Sequence, residues 1–327
     1  MKKILNKRVC GLLLAAVCLL ALLLPRASAA GTVDTAKPVS LTVSCHYAGQ
    51  AVQGVSFDLY RVADIDAFAR FTLCGDFQAY PVRLDGLSGG NWRALAVTLA
   101  AYAARDRLTP QDAGETDGRG LLRFPSRAAS LLPGLYLVVG KQTASGGKLY
   151  SAEPFLVSLP DLDEAADRWI YDVSAAPKLR ADEPGAPGGT TARKVLKIWD
   201  DGQSAARPRT LRVQLLQNGA VYDTVTLSGE TNWRYTWDAL PKYGADGALI
   251  RWDIAELVPD GYTVLVSSEG GTFVLTNSKP ANSEPPPPTP GGPDTPILPQ
   301  TGSLWWPVPV LAACGLLLLL LGLRKNR

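Results

Sequence analysis

The chain has 327 residues, with 33 Lys and Arg against 30 Asp and Glu, a formal net charge of +3 and 46% hydrophobic residues. Eight of the basic residues lie in two short terminal segments, so the remaining chain carries 25 basic residues against all 30 acids, a net charge of −5. This distribution excludes the basic stripe of a nucleic-acid-binding protein. The single histidine, His46, excludes a multi-histidine metal site and argues against Ser-His or Cys-His catalysis, so we expect no metal and no cofactor.

Residues 1–29 have the pattern of a secretory signal peptide. A basic stretch at 2–8 precedes the apolar run 9–24, and Ala27-Ser28-Ala29 supplies small residues before a cleavage site. An uncleaved membrane anchor is the alternative, but the small residues favour cleavage. We therefore expect secretion, with the mature chain starting near Ala30 or Gly31.

Residues 31–180 are predicted to form a strand-rich first domain. Apolar residues alternate at Val55, Phe57 and Leu59, and again within 135–139, 155–159 and 170–173. A small helical insertion is predicted by one apolar stripe at helical spacing, made of Trp92, Leu95, Leu99 and Tyr102.

Cys45 and Cys74 are the two cysteines of the expected exported region, and export would place them in an oxidising compartment. A disulfide between them would close a loop of about 30 residues and stabilise the domain by roughly 3–4 kcal/mol. The alternative is two buried thiols, because cysteine packs well as a small hydrophobic residue. We predict the disulfide.

Residues 181–191 read ADEPGAPGGTT, and the three Gly and two Pro predict a linker to a second domain at 192–278. In that domain the apolar alternation is interrupted at Asn218-Gly219, which is a strong signal for a hairpin. Period-two patterns with short turns predict an antiparallel β-sandwich of about 90 residues. The predicted fold class is all-β, with two tandem sandwich domains.

Three polar residues of the second domain, Lys197, Glu256 and Asn277, fall on predicted inward faces. Each continues an apolar series: Val195 and Trp199 flank Lys197, Ile250, Trp252 and Ile254 lead to Glu256, and Phe273 and Leu275 lead to Asn277. Burying an amine, a carboxyl group and an amide is costly unless they meet. Parity alone also allows these residues to face solvent or to lie at strand ends.

Residues 279–297 contain eight prolines and favour an extended polyproline II spacer, at about 3.1 Å per residue or roughly 60 Å in all. Residues 304–323 form a nearly uncharged run of 20 residues, long enough at about 1.5 Å per residue to cross a bilayer, and the basic tail 324–327 follows. A single-pass anchor is the simplest interpretation of this span.

Directly before the span stand Leu298, Pro299, Gln300, Thr301 and Gly302, which resemble the LPxTG sorting signal of Gram-positive surface proteins. The resemblance implies that a sortase cleaves between Thr301 and Gly302 and joins Thr301 to a peptidoglycan cross-bridge. Residues 304–323 would then retain the chain at the membrane only transiently, and 279–297 would be a stalk through the wall.

The second domain resembles the Cna B-type domain of Gram-positive adhesins and pilins, which has an Ig-like sandwich fold. The resemblance lies in the stretches 196–201, 207–208, 213–219, 232–233, 240–243, 261–262 and 276–277. In that family a Lys on the first strand and an Asn on the last form an intramolecular isopeptide bond, promoted by an acid on a middle strand. The resemblance assigns these roles to Lys197, Asn277 and Glu256, as a single event during folding rather than enzymatic turnover.

The first domain resembles the N-terminal domains of the same pilins and adhesins at 54–62 and 133–138. It departs from their Gly-x-Tyr-x-Leu-x-Glu pattern, because Gly134 and Tyr136 are followed by Val138 and Gly140. The missing acid argues against an isopeptide bond in this domain.

Residues 169–178, WIYDVSAAPK, resemble the pilin motif WxxxVxVYPK, with Ala175 and Ala176 in place of Val and Tyr. In that motif the lysine accepts the C-terminal Thr of the next subunit, which implies this role for Lys178. The alternative is an ordinary exposed lysine before the linker.

We therefore expect a sortase-anchored protein of the Gram-positive cell wall, a pilin or pilus-like structural subunit. The alternative is a monomeric adhesin that binds a host or matrix ligand. A surface enzyme is disfavoured because the sequence contains no recognisable nucleophile or metal set.

Overall fold

The computed structural model describes residues 31–186, 188–202 and 207–279. The predicted signal peptide, the proline-rich segment beyond Lys279, the sorting motif 298–302, the span 304–323 and the basic tail lie outside these residues. Within the described part of the chain, no helix is long and apolar enough to cross a membrane.

The first domain is built from strands, many of them short. In chain order they are β1 (Ser40–Ser44), β2 (His46–Tyr47), β3 (Gln50–Ala51), β4 (Ser56–Ile65), β5 (Phe71–Leu73), β6 (Asp112–Glu115), β7 (Leu121–Phe124), β8 (Gly134–Gly140), β9 (Thr143–Ser145), β10 (Lys148–Ala152), β11 (Phe155–Leu159), β12 (Asp161–Asp163), β13 (Arg168–Ile170), β14 (Asp172–Ala175) and β15 (Leu179–Asp182). The largest sheet has the order β11-β8-β4-β5, with β6 also on β4, and a second sheet has the order β14-β1-β7. The sheet β15-β10-β9 and the pairs β2–β3 and β12–β13 complete the domain.

The predicted helical insertion is the helix α1 (Gly89–Asp106), which follows a short 3-10 helix at Gly75–Ala79. It ends where Arg107 adopts a left-handed conformation with φ 56°, and the Arg107 N–H caps the carbonyls of Ala103 and Ala104. Leu95 and Leu99 pack in a first-domain cluster, as the sequence pattern predicts. Tyr102 instead packs in the core of the second domain.

The second domain contains β16 (Thr190–Asp200), β17 (Thr210–Gln217), β18 (Ala220–Ser228), β19 (Arg234–Pro241), β20 (Trp252–Glu256), β21 (Thr263–Glu269) and β22 (Thr272–Ser278). They form two sheets, β19-β16-β22-β21 and β18-β17-β20. Their inward residues build one apolar cluster that includes Val213, Leu215, Ile254 and Leu275. The predicted β-sandwich is therefore confirmed.

The Asn218-Gly219 hairpin is present between β17 and β18, where Gln217 pairs with Ala220. Asn218 has φ 50° and Gly219 has φ 86°, the two positive values that a tight two-residue hairpin turn requires. Trp233, Tyr235 and Trp237 alternate in the sequence, which predicts one inward face, but Tyr235 is 41% exposed and only Trp237 of the three is buried. These residues lie at or just before β19, an edge strand that the neighbouring sheet covers only in part.

Each domain pairs its first long strand in parallel with a strand near its C-terminal end. In the second domain β16 pairs with β22 over seven residue pairs, from Lys194–Thr272 to Asp200–Ser278. In the first domain β1 pairs with β14, with Ser40 opposite Asp172. The second domain therefore joins its two ends through one strand pair, whereas in the first domain β15 follows β14 and pairs with β10.

The predicted linker 181–191 is shorter in the structure. Ala181 and Asp182 belong to β15, which pairs with β10, and Thr190 already belongs to β16. Between these strands lie residues 183–189, of which residue 187 is not described. Both domains lie in one compact unit that includes all described residues.

The predicted Cys45–Cys74 disulfide is wrong, because both cysteines are free thiols. Cys45 is fully buried in the cluster that contains Leu41 and Phe57. Cys74 lies after β5, and its thiol donates to the carbonyl of Arg61 at 3.8 Å. Burial raises the pKa of each thiol to about 11, so both stay protonated. The alternative of two buried thiols describes Cys45, and Cys74 is half-buried.

Candidate functional site

Lys197, Glu256 and Asn277 are all buried in the second domain, with exposed fractions of 4%, 2% and 0%. Strand parity places them there: Lys197 follows buried Val195 on β16, Glu256 ends β20, and Asn277 follows Phe273 and Leu275 on β22. The predicted inward orientation of all three residues is therefore what the structure has, and solvent-facing positions are excluded.

The strand register brings the three residues together from both sheets. Lys197 lies opposite Leu275 in the parallel pair β16–β22, and Asn277 lies two residues further along β22. Glu256 comes from β20 in the facing sheet, where it pairs with Val213 of β17. The cluster thus bridges the interior of the sandwich.

The polar atoms of the cluster lie within contact distance of each other. The Lys197 Nζ is 3.8 Å from the Glu256 Oε2, and both side chains have no solvent exposure. The Asn277 Nδ2 donates a hydrogen bond to the Glu256 Oε1. The Lys197 Nζ also donates to the carbonyls of Ile198 at 2.9 Å and Leu275 at 3.4 Å.

Two oxygens of the cluster have no hydrogen-bond partner among the described residues, the Glu256 Oε2 and the Asn277 Oδ1. Buried oxygens without partners are costly. An amide oxygen that accepts no bond leaves its carbonyl open to a proton donor.

Burial shifts both ionisable groups toward their neutral forms. It lowers the pKa of the Lys197 amine, against the opposing charges of Glu256 and Asp201. It raises the pKa of the Glu256 carboxyl group, against the opposing charge of Lys197 and the hydrogen bond from Asn277. The cluster can therefore hold a nucleophilic amine beside a carboxyl group that carries a proton.

Aromatic side chains close one side of the cluster, a feature that the alternation pattern did not identify. The Lys197 Nζ lies 4.2 Å from the centre of the Trp199 ring. Trp233 and Tyr262 pack edge-on against Trp199, each with ring centres 5.2 Å from it. The Tyr262 hydroxyl donates to Asp201 at 2.9 Å. These residues lie in stretches that carry the family resemblance, so that signal was available in the sequence.

The described residues of the first domain hold no equivalent cluster, since none of their buried polar side chains is a lysine. Its parallel pair β1–β14 is held by polar contacts at Asp172, which accepts from the Ser40 hydroxyl and from the Arg123 guanidinium. Lys178 is exposed between β14 and β15. This position fits a lysine that accepts the next subunit and equally an ordinary exposed lysine before the linker. No group of side chains suited to a metal ion occurs in the parts of the chain that the structure describes.

Comparison with solved structures gives low global similarity. A single B repeat unit of the collagen-binding surface protein of Staphylococcus aureus is 16% identical, with a TM-score of 0.27, over 74% of this chain and 99% of that chain. The full-length major pilin SpaD of Corynebacterium diphtheriae is also 16% identical, with a TM-score of 0.27, over 76% of this chain and 99% of that chain.

Among curated proteins, the collagen adhesin of Staphylococcus aureus is 33% identical over 117 residues, which cover 34% of this chain. The match spans 9% of the length of that relative.

The family match is confined to the domain that holds the buried cluster. Residues 193–278 match the family described as Cna protein B-type domain. This range begins in β16 and ends with β22, so it contains Lys197, Glu256 and Asn277. The second domain of this chain is therefore similar to the Cna protein B-type domain over nearly its whole length.

Proposed function

We propose that this chain is a sortase-anchored surface protein of the Gram-positive cell wall, a pilin or pilus-like structural subunit. Its second domain is stabilised by an isopeptide bond between Lys197 and Asn277. The observation that carries the proposal is the buried meeting of an amine, a carboxyl group and an amide, with 3.8 Å between the Lys197 Nζ and the Glu256 Oε2.

The bond forms by exchange of one amide nitrogen for another. The neutral Lys197 Nζ attacks the Asn277 side-chain carbonyl carbon, and the Glu256 carboxyl group polarises the carbonyl oxygen. Glu256 then takes the proton of the attacking nitrogen and gives a proton to the Asn277 Nδ2, to which it is already hydrogen-bonded. One C–N bond forms, one breaks, and ammonia leaves without any change of oxidation state.

The mechanical consequence follows from the positions of the linked residues. β16 is the first strand of the domain and β22 the last, and they pair in parallel. Tension on the two ends loads this strand pair in shear. A covalent link across it prevents the strands from sliding apart, which suits a protein that displays or builds a surface fibre.

Intact mass tests the bond. We expect the full chain to be lighter than its sequence by one ammonia, and Glu256→Gln and Asn277→Ala variants to show no such loss. Glu269→Gln is the matched control, because Glu269 is exposed at the end of β21, and it should keep the loss. A parent chain of full sequence mass contradicts the bond.

Wall anchoring and assembly are supported by the sorting motif 298–302 and by the exposed Lys178 after a motif that resembles that of pilins. The partners in this proposal are a sortase, the peptidoglycan cross-bridge and further pilin subunits. The alternative, a monomeric adhesin with a host or matrix ligand, is favoured by the 33% identity to a collagen adhesin.

Immunoblots of wall extracts separate the two candidates. A pilin gives a ladder of high-mass species that Lys178→Ala abolishes, because the acceptor amine is lost. Lys194→Ala, which removes another exposed lysine, should leave the ladder intact. A single wall-linked species in the parent indicates a monomeric adhesin instead.

A further inference from the structure

The helix α1 of the first domain closes an open side of the second domain. The sandwich has two edge strands on that side, β20 in one sheet and β21 in the other. Ala101 and Tyr102 of α1 belong to the same apolar cluster as Ala255 of β20 and Val266 of β21. All five residues of β20 are consequently buried, where a half-exposed edge strand would show alternation.

The first domain also binds the backbone of both edge strands. The Tyr102 hydroxyl donates to the main-chain carbonyl of Glu256 at 3.2 Å. The Thr98 Oγ1 accepts from the N–H of Val266 at 2.8 Å, and the carbonyl of Pro81 accepts from the N–H of Val264 at 2.9 Å. These bonds satisfy one carbonyl and two N–H groups that an uncovered edge strand leaves to solvent.

The bonded positions are register partners of the reactive cluster. Val264 pairs with Asn277, and Val266 pairs with Leu275, whose carbonyl accepts a bond from the Lys197 Nζ. Glu256 itself is held through its own carbonyl by Tyr102. Two strands are therefore hydrogen-bonded to first-domain groups: β20, which carries Glu256, and β21, which pairs with the strand of Asn277.

The two side chains that make these contacts are themselves buried. Thr98 is 1% exposed and Tyr102 2% exposed, so both lie inside the interface between the domains. Burial and the charge of Glu256 raise the pKa of the Tyr102 hydroxyl, which therefore remains a hydrogen-bond donor.

We propose that docking of α1 completes the bond-forming site of the second domain, with Tyr102 and Thr98 as positioning residues for the reaction between Lys197 and Asn277. This inference rests on the proposed isopeptide bond. It makes cross-linking of the second domain dependent on a folded and docked first domain, so that a chain with a misfolded first domain is not locked.

The rate of bond formation tests the inference. The full chain is made by cell-free translation, sampled over time, quenched in acid and digested, and the cross-linked fraction of the Lys197 and Asn277 peptides is measured by mass. Tyr102→Phe and Thr98→Val each remove one hydrogen bond and keep the shape, and should slow cross-linking about two- to tenfold. Tyr136→Phe is the control, because the Tyr136 hydroxyl binds the Leu132 carbonyl inside the first domain, and it should react at the parent rate.

A pH profile separates positioning from loss of fold. Tyr102→Ala admits water beside Glu256 and reduces the rise of its pKa, so the acid-side fall of the rate should move to lower pH than in the parent. The ionisable groups around the pair are Lys197 on β16 and Tyr102 on α1, with Asp201 and Arg207 acting on Lys197. Loss of fold alone would lower the rate equally at every pH.

Three outcomes decide the matter. Slower cross-linking of Tyr102→Phe and Thr98→Val, with a normal Tyr136→Phe, supports the inference. Parent rates in both variants overturn it and leave the isopeptide bond standing. A parent chain that never cross-links overturns the bond and this inference together. Tyr102→Phe and Thr98→Val decide the test if Tyr102→Ala does not fold.

Discussion

Lys197 and Glu256 carry groups that would each be charged in water, and the structure buries both without any solvent exposure of their side chains. Desolvation opposes both charges, so the pair is driven toward an amine and a protonated carboxyl group. Asn277 lies beside them with a carbonyl oxygen that has no partner among the described residues. Together these three residues supply the amine, the carboxyl group and the amide that amide exchange needs. A stable ion pair would not require the amide.

The rate of cross-linking should depend on pH as a bell. The reaction needs the Glu256 carboxyl group protonated and the Lys197 amine neutral, so the pair must hold one ionisable proton in total. Below the raised pKa of Glu256 both groups are protonated and the amine is blocked, and above the lowered pKa of Lys197 neither group holds the required proton. We expect a maximum near neutral pH, measured on freshly translated chain by the cross-linked fraction. A rate that rises steadily to high pH would contradict the role of Glu256.

At the scale of elements, the parallel pair β16–β22 joins the two ends of the second domain. Successive residues of a strand point to opposite faces of the sheet, and only one face of this sheet is turned toward the core. Lys197 and Asn277 both use the inward side. A link between them therefore lies inside the core, where water cannot reach it.

Loss of the link should lower the stability of the second domain. Lys197 and Asn277 lie roughly 80 residues apart, and closing such a loop restricts the unfolded chain by about 4.5 kcal/mol. We expect Glu256→Gln, measured by denaturant unfolding, to lose a free energy of unfolding of this order. Glu269→Gln should unfold like the parent. A loss below about 1 kcal/mol in Glu256→Gln, which is the size of one hydrogen bond, would argue against the link.

At the scale of the whole molecule, each domain has one parallel strand pair, β1–β14 in the first and β16–β22 in the second, but the two pairs are held differently. The first domain relies on Asp172, whose partner Arg123 has a side chain 61% exposed, and exposed ion pairs contribute little. The second domain has the buried cluster. The interface through α1 joins both domains into one compact unit.

Pulling on the chain should therefore extend the domains unequally. When force is applied across residues 31–279 in a single-molecule experiment, the first domain should unfold because β1 and β14 are held without a covalent link. The second domain should stay folded in the parent and extend in Glu256→Gln. Extension of both domains in the parent would show that the second is not clamped.

Much of this architecture could be predicted from the sequence. Alternation indicated the strands of the second domain, Asn218-Gly219 indicated its hairpin, and polar residues on apolar faces indicated Lys197, Glu256 and Asn277. These signals are local, because strand parity and turn chemistry depend on neighbours in the sequence. The family resemblance then assigned roles to the three residues.

The sequence by itself indicated which side chains of β17 and β22 point into the second domain, since a strand of period two permits only two faces. Only the tertiary structure decided that Cys45 and Cys74 stay apart and that Tyr102 leaves the first-domain core for the second. The helix stripe placed Tyr102 correctly on α1 but could not say which domain would cover it. Contacts between residues as distant as Tyr102 and Glu256 depend on how whole domains pack, and no local pattern encodes that packing.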